Sequence, residues 1–191
     1  MARWIDKKTV YEGSILTVKS GRVQMGNGEA VPFDIVEHAG GVAVVPFLSP
    51  QPGDGIDHSM GPSVLLVQQP RVVVAEELLE IPAGKREASD DDLVARAQAE
   101  LEEETGYRAG RLVQVADFFV SPGFSTERIV VYLGFDLTYV GAHPEATEEI
   151  AVVRLPLAEV TRMLNEGRFR DSKTIIGLYA LLTHLHQEKQ A

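Results

Sequence analysis

Short apolar runs separated by turn-forming residues constrain the fold of this chain more than any other feature. Residues 42–48 and 64–68 have the length and composition of buried strands, and further strand-like segments follow at 111–119, 129–137 and 150–155. Apolar residues at helical spacing predict helices from Leu93 up to Gly106, over 157–165 and over 174–187. In a chain of 191 residues, this pattern predicts an α+β fold in which a mixed sheet is flanked by helices.

The first 40 residues form a separate feature. Apolar and polar side chains alternate over 15–23, and Gly26-Asn27-Gly28 then predicts a turn into a second strand at 30–38. We therefore expect an N-terminal antiparallel strand extension at 1–40 and a main domain at 41–191. Two stretches rich in turn-forming residues, 49–62 and 140–149, are expected to be loops.

The composition excludes several classes of protein. There is no cysteine, so thiolate zinc sites and cysteine nucleophiles are excluded. The net charge of -10 argues against a nucleic-acid-binding surface, which needs a basic stripe. No apolar run is long enough to span a membrane, and the first residues lack the apolar core of a signal peptide. We expect a cytoplasmic protein that binds neither nucleic acid nor membrane.

Three glutamates lie on one face of the first predicted helix. Glu100, Glu103 and Glu104 are spaced i, i+3 and i+4, which brings their carboxylates together on the helix surface. Like charges at this spacing cost stability unless a cation lies between them, and hard oxygen ligands of this kind suit Mg²⁺ or Mn²⁺. A glutamate-rich face is also common on solvated helices, because glutamate favours helix formation. The spacing alone leaves both interpretations open.

The segment 84–107 resembles the signature of the Nudix hydrolases, G-x5-E-x7-R-E-U-x-E-E-x-G-U, in which U is a bulky apolar residue. Residues 100–107 read Glu-Leu-Glu-Glu-Glu-Thr-Gly-Tyr and match the second half of the signature closely. In the first half, Gly84 and Gly106 are one residue further apart than in the pattern, and Asp90 or Asp91 replaces the early glutamate. The loop after Gly84 therefore carries an insertion.

The arginine of the signature is also missing, because Ala99 stands directly before Glu100. In the family, that arginine is thought to hold catalytic carboxylates in place. Arg96 lies one helical turn before Glu100 on the same face, so we hypothesise that it partly replaces the absent group. The missing arginine and the longer loop keep a second class of function open, namely a catalytically weak module that binds an ADP-sugar.

Segments outside the signature are similar to the ADP-ribose pyrophosphatase branch of this family. They include Gln-Gln-Pro-Arg at 68–71, Leu-Glu-Ile-Pro-Ala-Gly at 79–84 and Ser-Pro-Gly-Phe-Ser-Thr-Glu at 121–127, together with 40–46 and the tail 166–174. In the branch, a proline about 15 residues after the signature marks ADP-ribose specificity, and Pro122 stands 15 residues after Tyr107.

The resemblance implies both a fold and an activity. The fold is an α/β/α sandwich, and the activity is hydrolysis of the diphosphate bond of a nucleoside diphosphate sugar with Mg²⁺ or Mn²⁺. ADP-ribose, which would give AMP and ribose 5-phosphate, is the first expected substrate. Another nucleotide sugar or a dinucleotide, for example GDP-mannose, is the alternative. Relatives in the branch are homodimers that exchange N-terminal strands, so a homodimer is implied as well.

The resemblance also implies roles for acidic positions. The implied metal ligands are Glu100, Glu103, Glu104 and the backbone carbonyl of Ala83. We expect Ala83 in a turn, where carbonyls remain outside ladder pairing. In the branch, the general base comes from a loop after the signature helix, and Glu148 is our choice, with Glu149 as the close competitor and Glu103 also in the catalytic group. A simple solvated acidic loop is the alternative interpretation of 145–149.

Five further positions are candidates for contact with substrate. Arg71 suits a phosphate, because a guanidinium matches phosphate oxygens, and Arg128 could serve similarly. Glu80 is expected to contact the ribose or the metal shell, or else to be an ion-pair partner. Phe124 and Pro122 are expected to line the substrate cleft. A surface arginine and a core phenylalanine are the alternative interpretations of Arg71 and Phe124.

Overall fold

The computed structural model describes residues 1–49, 59–86, 92–141 and 150–190. Ten strands and three helices lie within these ranges. The strands are β1 (Arg3–Glu12), β2 (Thr17–Gln24), β3 (Ala30–Glu37), β4 (Gly41–Leu48), β5 (Ser63–Arg71), β6 (Glu76–Glu80), β7 (Ala83–Lys85), β8 (Tyr107–Phe119), β9 (Arg128–Tyr139) and β10 (Ala151–Pro156). The helices are α1 (Leu93–Thr105), α2 (Leu157–Asn165) and α3 (Ser172–Glu188).

The main sheet has the order β10-β5-β4-β9-β8, with β6 paired to β5 and β7 paired to β4. Strands β4 and β9 are parallel, and the other pairs in this sheet are antiparallel. The predicted mixed sheet is therefore confirmed. Strand β4 is central and is buried almost throughout, which explains why its sequence is a continuous apolar run rather than an alternating one.

The two faces of β4 pack against different helices. Ala43, Val45 and Phe47 belong to a buried apolar cluster that includes residues of α2 and α3. Val42 and Val44 belong to a second cluster that includes residues of α1. Because neighbouring side chains of a strand point to opposite faces, the sheet lies between α1 on one side and α2 with α3 on the other. The expected α/β/α sandwich is confirmed.

The N-terminal residues form a three-stranded antiparallel sheet with the order β1-β2-β3. The hairpin of β2 and β3 is close to its predicted position, whereas β1 was not predicted. Most side chains of β1 are exposed, so its sequence lacks the one-sided apolar alternation that marks a half-buried strand. Val36 of β3 joins this sheet to the 121–127 segment, because it bonds to Phe124 and Thr126 through backbone atoms. The division at residue 40 remains a prediction.

The ends of α1 are fixed by the residues that the sequence indicated. The Asp92 side chain accepts hydrogen bonds from the backbone N–H groups of Val94 and Ala95, which caps the N-terminus. Gly106 ends the helix in the left-handed conformation, at φ 76°. In the described ranges, no helix has both the length and the apolar composition needed to cross a membrane.

Three differences concern the strands of the main sheet. Strand β5 continues to Arg71 and β8 begins already at Tyr107, so both are longer than predicted. Strands β6 and β7 were not predicted, because both are short. The partner of β7 is distant in the sequence, whereas β6 forms a hairpin with β5, the strand that precedes it. The expected loops at 49–62 and 140–149 fall largely on residues 50–58 and 142–149, which lie outside the described residues, so these loops remain predictions.

Candidate active site

A cleft of about 690 Å³ lies where the start of β4, strand β7 and helix α1 meet. Glu100, Glu103 and Glu104 of α1 all line it, as their spacing predicted. Arg71, at the end of β5, and Lys173, at the start of α3, line the same cleft. The fold therefore brings an acidic helix face together with cationic side chains from two other elements.

Glu100 is held in place by a glycine and an arginine. Its side chain occupies the space beside Gly84, where an added Cβ would lie only 1.6 Å from Glu100 Oε1. Arg96, four residues earlier on α1, forms an ion pair with the Glu100 carboxylate. The Arg96 Nε also donates a hydrogen bond to the Lys85 carbonyl at 3.2 Å. Arg96 thus contacts the carboxylate that the missing signature arginine was expected to hold, while its effect on catalysis remains a prediction.

Ala83 connects strand β7 to the same helix. The expected turn at this position is wrong, because Ala83 begins β7 and lies opposite Ala43 of β4. Val44 N–H bonds to the Pro82 carbonyl at 2.9 Å, so the neighbouring Ala83–Ala43 pair is a non-hydrogen-bonded one. The backbone polar groups of Ala83 therefore point away from β4, and its N–H donates to Glu104 Oε2 at 3.1 Å. The Ala83 carbonyl remains outside the β4–β7 ladder, which is the property that a metal ligand needs.

Glu102 marks the limit of the acidic face. It accepts hydrogen bonds from Arg108 at 2.8 and 2.9 Å, and from Gln98 at 3.0 Å, so its carboxylate lies away from the cleft. The hydrogen bond from Arg108 lowers the pKa of Glu102 below its ordinary value. Of the four glutamates at 100 and 102–104, three belong to the cleft and one belongs to an ion pair on the surface.

The donor set of the cleft suits a hard divalent cation. In the described part of the chain, no group of three or more His, Cys, Asp or Glu side chains is already gathered around one point. Glu100 is instead paired with Arg96, and Glu104 accepts from Ala83 N–H. The three carboxylates and the Ala83 carbonyl nevertheless offer oxygen ligands within one cleft, which is the chemistry that Mg²⁺ and Mn²⁺ prefer.

Glu80 links two of the cationic side chains. Its carboxylate accepts hydrogen bonds from Arg71 at 2.6 and 2.7 Å, and Lys173 Nζ donates to the same carboxylate. Burial opposes ionisation of Glu80, whose side chain is 1% exposed, but Arg71 and Lys173 outweigh it and bring the pKa below its ordinary value. Of the two alternatives for Glu80, the structure shows the ion pair. A contact with ribose or with the metal shell remains a prediction.

The charge of the cleft differs from that of the whole chain. Five cationic and four anionic side chains are among the residues that line it, whereas the chain carries a net charge of -10. The cationic ones are Arg71, Lys85, Arg86, Arg96 and Lys173. The cationic side chains of the lining therefore locally offset the acidic charge of the protein, although Glu80 pairs with two of them.

Of the five predicted substrate residues, only Arg71 lines this cleft in the described structure; Glu80, Arg128, Phe124 and Pro122 do not. Arg128 forms a two-pronged ion pair with Asp117 at the junction of β8 and β9. Phe124 is 55% exposed, so it is not part of the core, and Pro122 lies in the same segment. Their roles remain predictions, as do those of Glu148 and Glu149, which lie outside the described residues.

The cleft also contains side chains that had no predicted role. His38 Nδ1 accepts a hydrogen bond from Gly40 N–H at 3.0 Å, and Glu127 Oε1 lies 3.8 Å from the same nitrogen. Gly40 has φ +89°, and a Cβ there would lie 2.4 Å from the Arg128 carbonyl oxygen, so this corner requires glycine. Gly40, Glu127 and Lys173 lie in the segments 40–46, 121–127 and 166–174 that resemble the branch, whereas no sequence signal indicated His38.

The chain is similar to known proteins over most of its length. The family model described as the NUDIX domain matches residues 42–176. The methanol dehydrogenase activator of Bacillus methanolicus is 30% identical over 188 residues, which covers 95% of each chain. The ADP-ribose pyrophosphatase of Bacillus subtilis is 30% identical over 179 residues, covering 93% of this chain and 90% of its own. A crystal structure of an ADP compounds hydrolase has a TM-score of 0.80 at 19% identity, covers 100% of this chain and 97% of its own, and shows the same fold.

Proposed function

Because this chain belongs to the Nudix family, we propose that it hydrolyses the diphosphate bond of nucleoside diphosphate sugars, with ADP-ribose as the first substrate and AMP and ribose 5-phosphate as products. One observation carries the proposal: three carboxylates of α1 and the guanidinium of Arg71 line one cleft. The relative from Bacillus subtilis, which is named an ADP-ribose pyrophosphatase, supports the choice of substrate.

The main barrier to this reaction is the negative charge of the diphosphate, which repels an attacking oxygen. A bound Mg²⁺ or Mn²⁺ would offset that charge and lower the pKa of a water molecule. Arg71 would hold a phosphate through its guanidinium, since its side chain is 41% exposed and lines the cleft. Glu148, or Glu149 as its competitor, would accept the proton of the attacking water while the bond between phosphorus and the leaving phosphate oxygen breaks.

The residues around the carboxylates would keep the cation ligands in position. Arg96 orients Glu100, and the Ala83 N–H orients Glu104. In the described residues, Glu103 is paired neither with Arg96 nor with the Ala83 N–H. We place this carboxylate nearest the reaction. Groups that orient ligands in this way contribute to metal affinity as well as to geometry.

A homodimer is part of the same proposal. Apolar side chains of the N-terminal sheet are exposed in the single chain, among them Ile5, Val10, Tyr11 and Phe33. A second copy would cover them by packing or exchanging N-terminal strands. Sedimentation should give twice the chain mass of 20.9 kDa, and a clean monomer would contradict this part. We propose no nucleic-acid or membrane partner and, as the sequence indicated, a cytoplasmic location.

Hydrolysis can be tested directly. The protein is incubated with ADP-ribose, and separately with GDP-mannose, with and without Mg²⁺ in ¹⁸O-labelled water. Phosphorus NMR then shows which products form and which phosphate carries the new oxygen. We expect AMP and ribose 5-phosphate from ADP-ribose, only with the cation. Binding of ADP-ribose without cleavage would indicate the weak binding module instead.

A pair of variants tests the role of the acidic face. Neutralising Glu103 and Glu104 together, both to glutamine, should abolish Mg²⁺ binding and cleavage. Glu102→Gln is the control, because it removes one carboxylate charge from the same helix but outside the cleft. If the double variant keeps both ion binding and cleavage, the proposed function is wrong.

A further inference from the structure

Lys173 and Arg71 share one buried carboxylate, that of Glu80. Arg71 uses both oxygens of this carboxylate, at 2.6 and 2.7 Å, and Lys173 Nζ donates to Oε2. The side chains differ in exposure: Glu80 is 1% exposed, Lys173 is 10% exposed and Arg71 is 41% exposed. Arg71 is therefore the most exposed member of this trio, whereas Lys173, which also lines the cleft, is mostly buried.

Lys173 is itself fixed by the start of α3. Its Nζ lies 3.1 Å from Asp171 Oδ2, and Asp171 caps the helix by accepting from Thr174 N–H at 2.9 Å. The Thr174 hydroxyl donates to Asp171 at 2.6 Å and accepts from Ile81 N–H at 2.9 Å. This chain of hydrogen bonds ties the helix to the residue that follows Glu80. The ammonium therefore has little freedom to move.

The charges of these groups explain why a phosphate site beside Glu80 needs both Arg71 and Lys173. Arg71 and Glu80 alone would be neutral as a pair, so the guanidinium would present little net charge to a phosphate. Lys173 supplies a second positive charge to the same carboxylate, which leaves the trio with a net charge of +1 beside the cleft. The charge of Asp171 is partly offset by the N-terminus of α3, where the helix dipole favours an anion.

We propose that Lys173 is a positioning residue of this cleft. It shares Glu80 with Arg71 and so keeps the Arg71 guanidinium fixed, and its charge only partly neutralised, towards the phosphates of a nucleoside diphosphate sugar. The inference rests on the proposed function for its ligand, but not for the arrangement of the three side chains. A purely structural role for Lys173 would instead change stability and leave substrate affinity unchanged.

Kinetics of three variants separate these roles. Lys173→Met removes the ammonium and should raise KM for ADP-ribose about tenfold with kcat within about twofold, because binding of a phosphate is weakened. Lys173→Arg should restore KM to within about threefold of the wild type, because a cation returns to Glu80. Lys189→Met is the matched control, since it removes the same side chain about 24 Å away along α3 and should leave KM unchanged.

A second measurement needs no substrate. In ¹⁵N-labelled protein, the Arg71 Nε–H signal is identified by its loss in Arg71→Lys, and its hydrogen exchange is measured. Exchange should be slow in the wild type and in Lys173→Arg, and at least about tenfold faster in Lys173→Met. Lys173→Gln, which keeps a donor without the charge, is measured in the same way in case the methionine variant does not fold.

Either of two results overturns the inference once the charge at position 173 is removed: an unchanged KM for ADP-ribose, or an unchanged hydrogen-exchange rate of the Arg71 Nε–H. These results differ from a failure of the proposed function. If the wild type does not cleave ADP-ribose, the proposed activity is wrong, while the Arg71 signal still decides whether Lys173 positions the guanidinium.

Discussion

Replacing Arg96 by alanine tests whether this residue holds the Glu100 carboxylate in place of the missing signature arginine. The Glu100 side chain is 7% exposed, and the Arg96 side chain with which it pairs is 31% exposed. Removing one partner of a fully buried pair costs about 3–5 kcal/mol. Because Arg96 is partly exposed and water can replace some of its contacts, we expect a smaller loss, about 1–3 kcal/mol in the free energy of unfolding.

The effect on catalysis should be larger than the effect on folding. Glu100 without Arg96 would lose the group that orients its carboxylate, and loss of such an orienting group lowers metal affinity or activity about 10–100-fold. AMP release from ADP-ribose, measured over a range of Mg²⁺ concentrations, shows whether added metal recovers the activity. Urea unfolding gives the stability of the same samples.

Two controls make the result specific. Arg96→Lys keeps the charge but loses the Nε donor to the Lys85 carbonyl, so it should retain part of the activity. Arg108→Ala breaks an exposed pair with Glu102 outside the cleft and should change activity less than about twofold. Full activity in Arg96→Ala, together with a large gain in Ala99→Arg, would refute the reasoning.

Three further predictions follow from the same contacts. Gly84→Ala should displace the flexible end of Glu100 and so lower activity about tenfold or more in initial-rate assays, with little loss of thermal stability; an unchanged rate would contradict the contact. Glu148→Gln should lower kcat about 100-fold and Glu149→Gln much less, whereas equal, mild losses would exclude a base in this segment. Because the pKa of Glu80 is lowered in the folded protein, its stabilisation is complete above the ordinary value of 4.5 and is lost as the pH falls through the folded-state value. The melting temperature should therefore fall more steeply below pH 4.5 in the wild type than in Glu80→Gln, and parallel curves would count against the buried ion pair.

Features with a local cause could be predicted from the sequence. The three helices were found because apolar spacing and capping residues act within a few positions, as Asp92 and Gly106 do for α1. The buried strands β4 and β9 were found from continuous apolar runs. In contrast, β7 exists only because three residues pair with β4, about forty positions earlier in the chain. The sequence therefore predicts a turn at Ala83, although the structure places this residue in a strand.

The same distinction applies to the candidate site. The common face of Glu100, Glu103 and Glu104 follows from helix geometry, so the sequence predicted it and the cleft contains all three. Lys173 is far from Glu80 in sequence, and only the packing of α3 beside β6 brings its ammonium to that carboxylate. The sequence likewise does not identify the partner of Arg71, because its guanidinium can bind either a carboxylate or a phosphate.

The contact of Gly84 with Glu100 and the cap of α1 by Asp92 anchor the two ends of the intervening segment independently. An additional residue after Gly84 can then be accommodated without shifting the helix relative to the glycine. Family members with a longer segment at this point would keep their carboxylates in register, although a search pattern of fixed spacing would pass over them. Segment length and site geometry can therefore diverge separately during evolution.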